Sequence, residues 1–242
     1  MAVMQGSYTF APPFAGTMVA PSGMRADYLT SGLRFIAPQG PCGLQGRLKR
    51  GVDVVGSLLL IALVIPIIAL VAITIRLDSP GPVVIRQLRL GRRGIPFQIF
   101  KFRSMVANAD QLRPGLDHLN EATPPLFKIR RDPRLTRMGR HLRRLSLDEL
   151  PQLLNVLLGQ MSLVGPRPPF ATEVHADVIR QSLRLKFPPG MTGLWQVSGR
   201  SNLDYESQIR LDLLYTREWS FWLDLKILFR TLPVVIGGKG AY

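Results

Sequence analysis

The stretch VVGSLLLIALVIPIIALVAITI, residues 54–75, contains 22 residues without a charge. A membrane-spanning helix needs about 20 apolar residues, so the run is long enough to be one. Pro66 lies near its middle, and a proline inside a helix removes a backbone hydrogen bond and bends the chain. Each arm is then about 17 Å long, roughly half of a hydrocarbon core of about 30 Å. The run therefore predicts a membrane helix that is bent at Pro66.

Basic residues flank this run on both sides. Arg47, Lys49 and Arg50 come just before it, and Arg76 and further arginines follow it. Because cytoplasmic flanks are enriched in Lys and Arg, both ends are expected on the cytoplasmic side. This favours a re-entrant helical hairpin, while a spanning helix with a tolerated proline remains the alternative that the residues leave open.

The 46 residues before Arg47 have a different composition. They contain 5 Pro and 7 Gly, few charges and no sustained periodicity, which predicts a disordered leader over 1–46. The rest of the chain is long and apolar enough to fold. A single cysteine excludes an internal disulfide framework, and three scattered histidines do not suggest a metal cluster.

The net charge of +15 is concentrated in one segment. Residues 47–144 hold 19 Lys/Arg against 6 Asp/Glu, an excess of 13. Such an excess indicates anionic partners: phosphorylated ligands, lipid headgroups or nucleic acid. No RNA-recognition or helix-turn-helix pattern supports nucleic acid.

Two further segments have recognisable patterns. PVVIRQLRLGRRGIPFQIFKFRSM, residues 82–105, alternates apolar and polar residues around Gly91 and Gly94, which predicts a β-hairpin with a basic tip. REWSFWLDLKILFRTLP, residues 217–233, mixes aromatic and cationic side chains, as a helix in the membrane interface does. A buried core helix is the alternative for this second segment.

The stretch RRLSLDELPQ, residues 143–152, carries the adjacent carboxylates Asp148 and Glu149. Ser146 and Glu149 fit a capping box, but Pro151 would then fall inside the helix. If Asp148 is the N-cap, Pro151 is tolerated in the first turn and the helix runs to about Leu158. The carboxylate would then stay ionised at a helix N-terminus. An aspartate can cap a helix, and it can also attack phosphorus to form an acyl phosphate.

Two loops present single arginines rigidly. Prolines bracket Arg167 in VGPRPP (164–169), and three glycines precede Arg200 in PPGMTGLWQVSGR (188–200). Such arginines suit phosphate or nucleotide contacts, because little freedom is lost on binding.

Five segments in this order resemble the bacterial sugar transferase family, the monotopic phosphoglycosyl transferases. They are KRGVD (49–53), the proline-broken run, KFRSM (101–105), RRLSLDELPQLLNVLLGQMSLVGPRP (143–168) and PGMTGLWQVSGR (189–200). The resemblance implies a mostly helical α+β domain over 47–242. Residues 51–77 would form the re-entrant membrane helix, and 78–242 the catalytic part, with interfacial amphipathic helices on the cytoplasmic face of the inner membrane.

The resemblance also implies a ping-pong reaction. Asp148 would attack the sugar-bearing phosphate of a UDP-hexose, UMP would leave, and undecaprenyl phosphate would accept the hexose 1-phosphate in the first membrane step of exopolysaccharide synthesis. Glu149 would assist as acid/base or, with Asp148, as a ligand of Mg²⁺. The implied phosphate or substrate ligands are Lys101, Arg103, Arg143, Arg144, Arg167 and Arg200, and the implied membrane-entry residues are Lys49, Arg50, Asp53 and Pro66.

The segments TGLWQVSGR and the C-terminal KGAY resemble those of members that use UDP-glucose or UDP-galactose. The resemblance does not distinguish between these two sugars. The chain departs from many relatives in lacking extra N-terminal membrane helices, and from others in having Ile65 where a serine precedes the proline. The partners that the resemblance implies are the UDP-hexose, undecaprenyl phosphate and the lipid of the inner membrane, and it implies no nucleic acid. A homodimer is compatible with the resemblance. A non-catalytic membrane adaptor that uses the basic segment is the rival hypothesis.

Overall fold

The computed structural model describes residues 40–176, 178–238 and 240, so most of the predicted leader, residues 1–39, lies outside the described residues. The first helix, α1, already begins at Gly43. Helix α1 thus begins about one turn before residue 47, where the sequence predicts the start of the domain. Nothing after Pro41 interrupts a helix, and Gly43 and Gly46 are tolerated in its first turns.

The described residues form a mostly helical α+β fold with two small sheets, which confirms the predicted fold class. The helices are α1 (Gly43–Asp78), α2 (Ala109–Leu112), α3 (Arg137–Arg144), α4 (Gln152–Leu157), α5 (Ala171–Ala176), α6 (Val178–Arg184), α7 (Tyr205–Glu218) and α8 (Phe221–Gly237). The strands are β1 (Val84–Leu90), β2 (Pro96–Phe102), β3 (Ser162–Val164) and β4 (Gly190–Thr192).

Helix α1 has 36 residues, which is about 54 Å if the helix is straight. It is long and apolar enough, by length and composition, to cross a membrane. Pro66 lies inside the helix and does not end it. One face is broadly exposed and apolar along the whole length: Leu44, Leu48, Val55, Leu58, Leu59, Leu63, Ile65, Leu70, Ile73 and Leu77. Such a surface is unfavourable in water and suits lipid.

The N-terminal part of α1 is fastened to the rest of the domain by three of the predicted membrane-entry residues. Lys49 is buried and donates to a carbonyl of β3 at 2.9 Å and to the carboxylate of Asp224 in α8 at 2.6 Å. Arg50 donates to two carbonyls at the end of α4, at 2.5 and 2.7 Å. Asp53 accepts two bonds of 2.9 Å from the first residues of β3. These residues therefore bind protein groups.

The C-terminal end of α1 is fastened to the same domain. Arg103, just after β2, is buried and donates to the carbonyls of Ser79 and Pro80 at 2.6 and 2.5 Å. Asp78 accepts from the backbone amide of Met138 in α3 at 3.0 Å. Arg103 thus holds the backbone that directly follows α1, and its predicted role as a phosphate or substrate ligand stays a prediction.

The predicted β-hairpin is confirmed. Strands β1 and β2 pair antiparallel from Val84↔Phe102 to Leu90↔Pro96. The tip is a short 3₁₀ turn over Arg92–Gly94, in which Arg93 and Gly94 have φ of 62° and 73°. Glycine adopts this left-handed conformation without cost, which explains the signal at Gly94.

The central core joins both sheets to the helices. Its buried members are Phe97, Ile99, Leu153, Val156, Met161, Leu163, Val164, Phe187, Tyr215 and Ile227, and Ile61 and Val64 of α1 pack against them. The small parallel sheet of β3 and β4 was not predicted, because three-residue strands give no periodic signal.

Helix α8 confirms the helix predicted near the C-terminus. Asp224 and Ile227 are buried on one side of it, while Trp222, Phe229 and Ile236 on the other side are each about three-quarters exposed. The helix thus has a core face and an exposed apolar face, as a helix at a membrane interface requires.

Candidate active site

The adjacent carboxylates Asp148 and Glu149 lie in a short 3₁₀ turn, Leu147–Glu149, and α4 begins only at Gln152. Neither predicted cap is present: the side chains of Ser146 and Pro151 cap nothing, and Asp148 sits inside the turn. Pro151 has no N–H to place in a ladder, so the chain makes two separate turns around it. The predicted end of the helix is confirmed, since α4 ends at Leu157 and Gly159 has φ of 79°.

Asn155 holds this region against the hairpin. It is fully buried in α4, donates to the carbonyl of Gln98 at 2.8 Å and accepts from the amide of Phe100 at 3.0 Å. One side chain thus satisfies both edge groups of β2. The next residue of the strand, Lys101, is thereby brought to Glu149, with Nζ 2.9 Å from Oε1. No pattern in the sequence singles out Asn155.

The two carboxylates have different pKa values. Asp148 is only 8% exposed, and this burial raises its pKa to about 6, with Glu149 adding to the rise while Lys101 and Arg143 oppose it. Burial also acts to raise the pKa of Glu149, but Lys101, Arg167 and Arg89 outweigh it and hold that pKa below its usual value. Asp148 is therefore a desolvated carboxyl group whose pKa lies close to neutral pH, whereas Glu149 is ionised at neutral pH.

The two predicted arginines at the end of α3 point to different places. Arg143 is half-buried, donates through Nε to the hydroxyl of Ser104 at 3.1 Å, and its charge lowers the pKa of Asp148. Arg144 is exposed and lies beside Gly238 at the end of α8. The structure thus brings Arg143 to the carboxylates and places Arg144 at the surface.

The two predicted loop arginines both reach the site. Arg167 lies 3.5 Å from the carboxylate of Glu173, and its charge lowers the pKa of Glu149. Arg200 donates to the hydroxyl of Ser146, directly before the carboxylate turn. Burial lowers the pKa of Arg200, and the charges of Glu149 and Asp148 oppose that shift. Ser146 and Arg200 both have left-handed backbones, with φ of 55° and 54°, a conformation that non-glycine residues rarely adopt.

Two cations near the site were missed by sequence reasoning. Arg89 of β1 is 5% exposed, stacks 3.2 Å from the centre of the Phe170 ring and donates to the carbonyl of Pro168 at 3.2 Å. It thereby supports the loop of Arg167. Burial, with the charge of Arg167, lowers its pKa. Lys128 is partly buried, and burial, with Arg167, lowers its pKa to about 8. Both belong to a cation-rich segment in which no single residue stands out by pattern.

The site therefore has a net positive charge. The two carboxylates face a larger set of cations: Arg89, Lys101, Arg143, Arg167 and Arg200. A set of buried and half-buried guanidinium and ammonium groups around the carboxylate pair suits a bound diphosphate.

The carboxylate pair also fits magnesium. Within the described part of the chain no group of three or more metal-ligating side chains is present. Mg²⁺, however, is usually held by one or two carboxylates together with substrate phosphates and water. Lys101 engages Oε1 of Glu149, and Oε2 has no hydrogen bond among the described residues. The donor set is thus right in kind for Mg²⁺ that arrives with a diphosphate.

Comparisons with known proteins show which family the chain resembles. The model of the bacterial sugar transferase family matches residues 44–238. The chain is 45% identical over 195 residues to the galactosyl transferase CpsE of Streptococcus agalactiae, covering 80% of this chain and 43% of that protein. It is 42% identical over 211 residues to the UDP-glucose:undecaprenyl-phosphate glucose-1-phosphate transferase of Escherichia coli, covering 83% and 42%.

A shorter relative is covered almost completely. The exopolysaccharide production protein ExoY of Rhizobium meliloti is 37% identical over 201 residues, which are 81% of this chain and 89% of that protein. The chain thus spans less than half the length of the first two relatives and most of the third. The family match covers every element from α1 to α8. This chain belongs to the bacterial sugar transferase family.

Proposed function

We propose that the protein transfers a hexose 1-phosphate from a UDP-hexose to undecaprenyl phosphate and releases UMP. The observation that carries the proposal is the buried carboxylate of Asp148 among cations that can hold a diphosphate. The names of two relatives, a galactosyl transferase and a glucose-1-phosphate transferase that uses undecaprenyl phosphate, support glucose or galactose as the sugar.

The first half-reaction uses Asp148 as nucleophile. A carboxylate oxygen attacks the sugar-bearing phosphorus, the bond from that phosphorus to the oxygen bridging to UMP breaks, and UMP leaves with the electron pair. With a pKa of about 6, Asp148 is about nine-tenths ionised at pH 7. Its poor solvation keeps it more reactive than a carboxylate in water, because little hydration is lost in the attack.

The second half-reaction regenerates the aspartate. An oxygen of undecaprenyl phosphate attacks the same phosphorus, the acyl phosphate bond breaks, and the carboxylate of Asp148 is released. The product is undecaprenyl diphosphate hexose. Three arginines would stabilise the charge on the transferring phosphoryl group in both steps. Arg143 lies beside Asp148, and Arg167 and Arg200 lie near Glu149.

Asp148 and Glu149 would hold Mg²⁺, which would neutralise charge on the diphosphate. Glu149 is suited to this because Lys101, Arg167 and Arg89 keep it ionised. Its alternative role as an acid would require a raised pKa, so the structure favours the role of ligand or base.

The position of α1 supports a re-entrant helix. Lys49 near one end and Asp78 at the other both bind the same domain, and Ile61 and Val64 between them pack on its core. A simple span would draw the domain through the bilayer along with the helix. With one face on the domain and the other in lipid, the helix can enter and leave on one side. We therefore place the catalytic part on the cytoplasmic face of the inner membrane.

This topology can be tested with cysteines. Cys42 is free and exposed just before α1. Gly115, in the exposed segment after the hairpin, can be replaced in a Cys42→Ser background, because its Cβ would meet nothing. We expect Cys42 and Gly115→Cys to react with an impermeant maleimide only in inverted membrane vesicles. Labelling of the two sites from opposite sides would contradict the re-entrant helix.

The catalytic proposal is tested by UMP release from UDP-glucose, UDP-galactose and UDP-N-acetylglucosamine with undecaprenyl phosphate in detergent. We expect Asp148→Asn to lower turnover by at least about a thousandfold, because an amide cannot form the acyl phosphate. The exposed Asp117→Asn is the matched control and should retain full activity. Unchanged turnover of Asp148→Asn would remove Asp148 as nucleophile.

A further inference from the structure

Helix α3 has two chemically different faces. Met138 and Leu142 on one face pack against α1, together with the buried Val71 and Ile75. The opposite face presents Arg137, Arg140 and Arg144, all exposed; we call these three residues the arginine face. Their spacing of three and four residues places them on one side of the helix.

The arginine face has no counter-charge. Within the residues that the structure describes, none of its three guanidinium groups makes an ion pair or a side-chain hydrogen bond. The neighbouring carboxylates are already engaged: Asp78 accepts from the first turn of α3, and Asp132 pairs with Arg134 at 2.6 Å. The surface is therefore ready to accept anions.

The position of α3 beside α1 indicates which anions its arginines can bind. Val71, Ile75 and Asp78 of α1 contact α3, so α3 lies where the apolar run ends. On the other side of the same stretch of α1, Ile73 and Leu77 are exposed, with Leu77 82% exposed. The arginine face and the exposed Ile73 and Leu77 thus lie on opposite sides of the packed pair of helices, but both are at the end of the apolar run, where hydrocarbon gives way to headgroups.

We propose that the arginine face of α3 is a docking surface for the headgroups of anionic phospholipids. The occupant follows from charge complementarity and from the position of α3 beside the last turns of the apolar run of α1. This surface is separate from the candidate active site, because Arg143 of the same helix turns instead toward Ser104 and Asp148. It goes beyond the proposed transfer reaction, since a lipid bound here takes no part in the chemistry.

The test uses the full chain in non-ionic detergent and counts bound lipids by native mass spectrometry. The probes are dioctanoyl phosphatidylglycerol and, as the neutral comparison, dioctanoyl phosphatidylcholine. The variant is Arg137→Gln/Arg140→Gln, which spares Arg143 and Arg144. The matched control, Arg210→Gln/Arg217→Gln, removes two exposed arginines from α7.

We expect Arg137→Gln/Arg140→Gln to bind phosphatidylglycerol about 25-fold more weakly, since each cation near an anionic lipid surface contributes about fivefold. Binding of phosphatidylcholine should not change, and Arg137→Lys/Arg140→Lys should bind phosphatidylglycerol like the parent chain. Raising the salt concentration should weaken the parent interaction. The lysine variant also shows whether the helix tolerates substitution at these positions.

Three results would overturn the proposal. Phosphatidylglycerol binding could be unchanged, or the control variant could lose as much as the test variant, which would mean a diffuse charge effect. The third is a rise in KM for the UDP-sugar in neutral detergent that equals the loss of lipid binding, which would assign the arginines to the substrate. The lipid count does not depend on turnover, so failure of the proposed reaction would be seen separately.

Discussion

Lys101 sets the acidity of the candidate nucleophile, and its removal gives a prediction with a definite sign. Its ammonium lies 2.9 Å from Glu149, and it is the strongest of the charges that lower the pKa of Asp148 against the effect of burial. Replacing it by methionine leaves burial and Glu149 less opposed. An opposite charge within about 4–6 Å lowers a carboxyl pKa by about 1–3 units. We therefore expect the pKa of Asp148 to rise in Lys101→Met from about 6 to about 7 or above.

The consequence is a shift of the acid limb of activity. Asp148 must be deprotonated to attack, so activity rises with pH through its pKa. For a rise of about one unit, the ionised fraction at pH 6 falls from about half to about one-tenth, a loss of about fivefold, whereas at pH 8 almost nothing is lost. A larger rise would deepen the loss at pH 6 and extend it toward pH 8. Any phosphate contact made by Lys101 adds a loss that is independent of pH.

The measurement is kcat/KM for the UDP-sugar from pH 5 to pH 9, followed by UMP release. In a ping-pong reaction this parameter reports only the steps before UMP leaves, so titration of undecaprenyl phosphate does not enter. Lys101→Arg keeps the charge and should keep the limb near 6. Glu149→Gln removes a charge that raises the pKa, so its limb should move lower. The reasoning is refuted if the acid limb of Lys101→Met stays near pH 6, or if the limbs of Lys101→Met and Glu149→Gln shift in the same direction.

Three further predictions concern stability and coupling. Burial raises the pKa of Asp148 from 3.8 to about 6, so ionisation of this carboxyl destabilises the fold progressively between about pH 4 and pH 6 and fully above pH 6. Asp148→Asn should therefore raise the free energy of unfolding by up to about 3 kcal/mol at pH 7, a gain that shrinks below pH 6 and is gone by about pH 4 in denaturation curves. Lys49→Met should cost about 3–5 kcal/mol because it leaves Asp224 buried and unpaired, and Lys49→Met/Asp224→Asn should recover part of the loss of unfolding midpoint. Ser146→Ala should lower kcat about tenfold and Arg200→Met about a hundredfold or more, because Arg200 also faces the phosphoryl group. The double variant should be no worse than Arg200→Met, because the hydrogen bond between the two residues is already lost there; additive losses would contradict this.

Features that depend on neighbouring residues could be predicted from the sequence. The uncharged run 54–75, the alternation around Gly94 and the adjacent carboxylates of RRLSLDELPQ each give a local signal, and the structure has a helix, a hairpin and a buried carboxylate there. The helical segment at the C-terminus was also found, although its two faces were not separated.

Features that depend on distant contacts could not be predicted. Asn155 and Arg89 have roles only because β2 and the loop of Arg167 come to lie against them. The basic motif predicts that Arg103 binds substrate, whereas in the structure its guanidinium donates to the carbonyls of Ser79 and Pro80, just after α1. The N-cap at Asp148 was wrong because the chain can divide around Pro151 into two turns, a choice that propensity alone does not reveal.

Helix α4 is short, and both of its ends are occupied. Its first residues follow directly on the turn of Asp148 and Glu149, and its last carbonyls accept from Arg50 of α1. Between them Asn155 ties it to β2. Six residues of helix measure about 9 Å. The candidate nucleophile and α1 are therefore linked through one short helix, so the depth at which α1 sits in a bilayer would also set the height of that carboxylate above it.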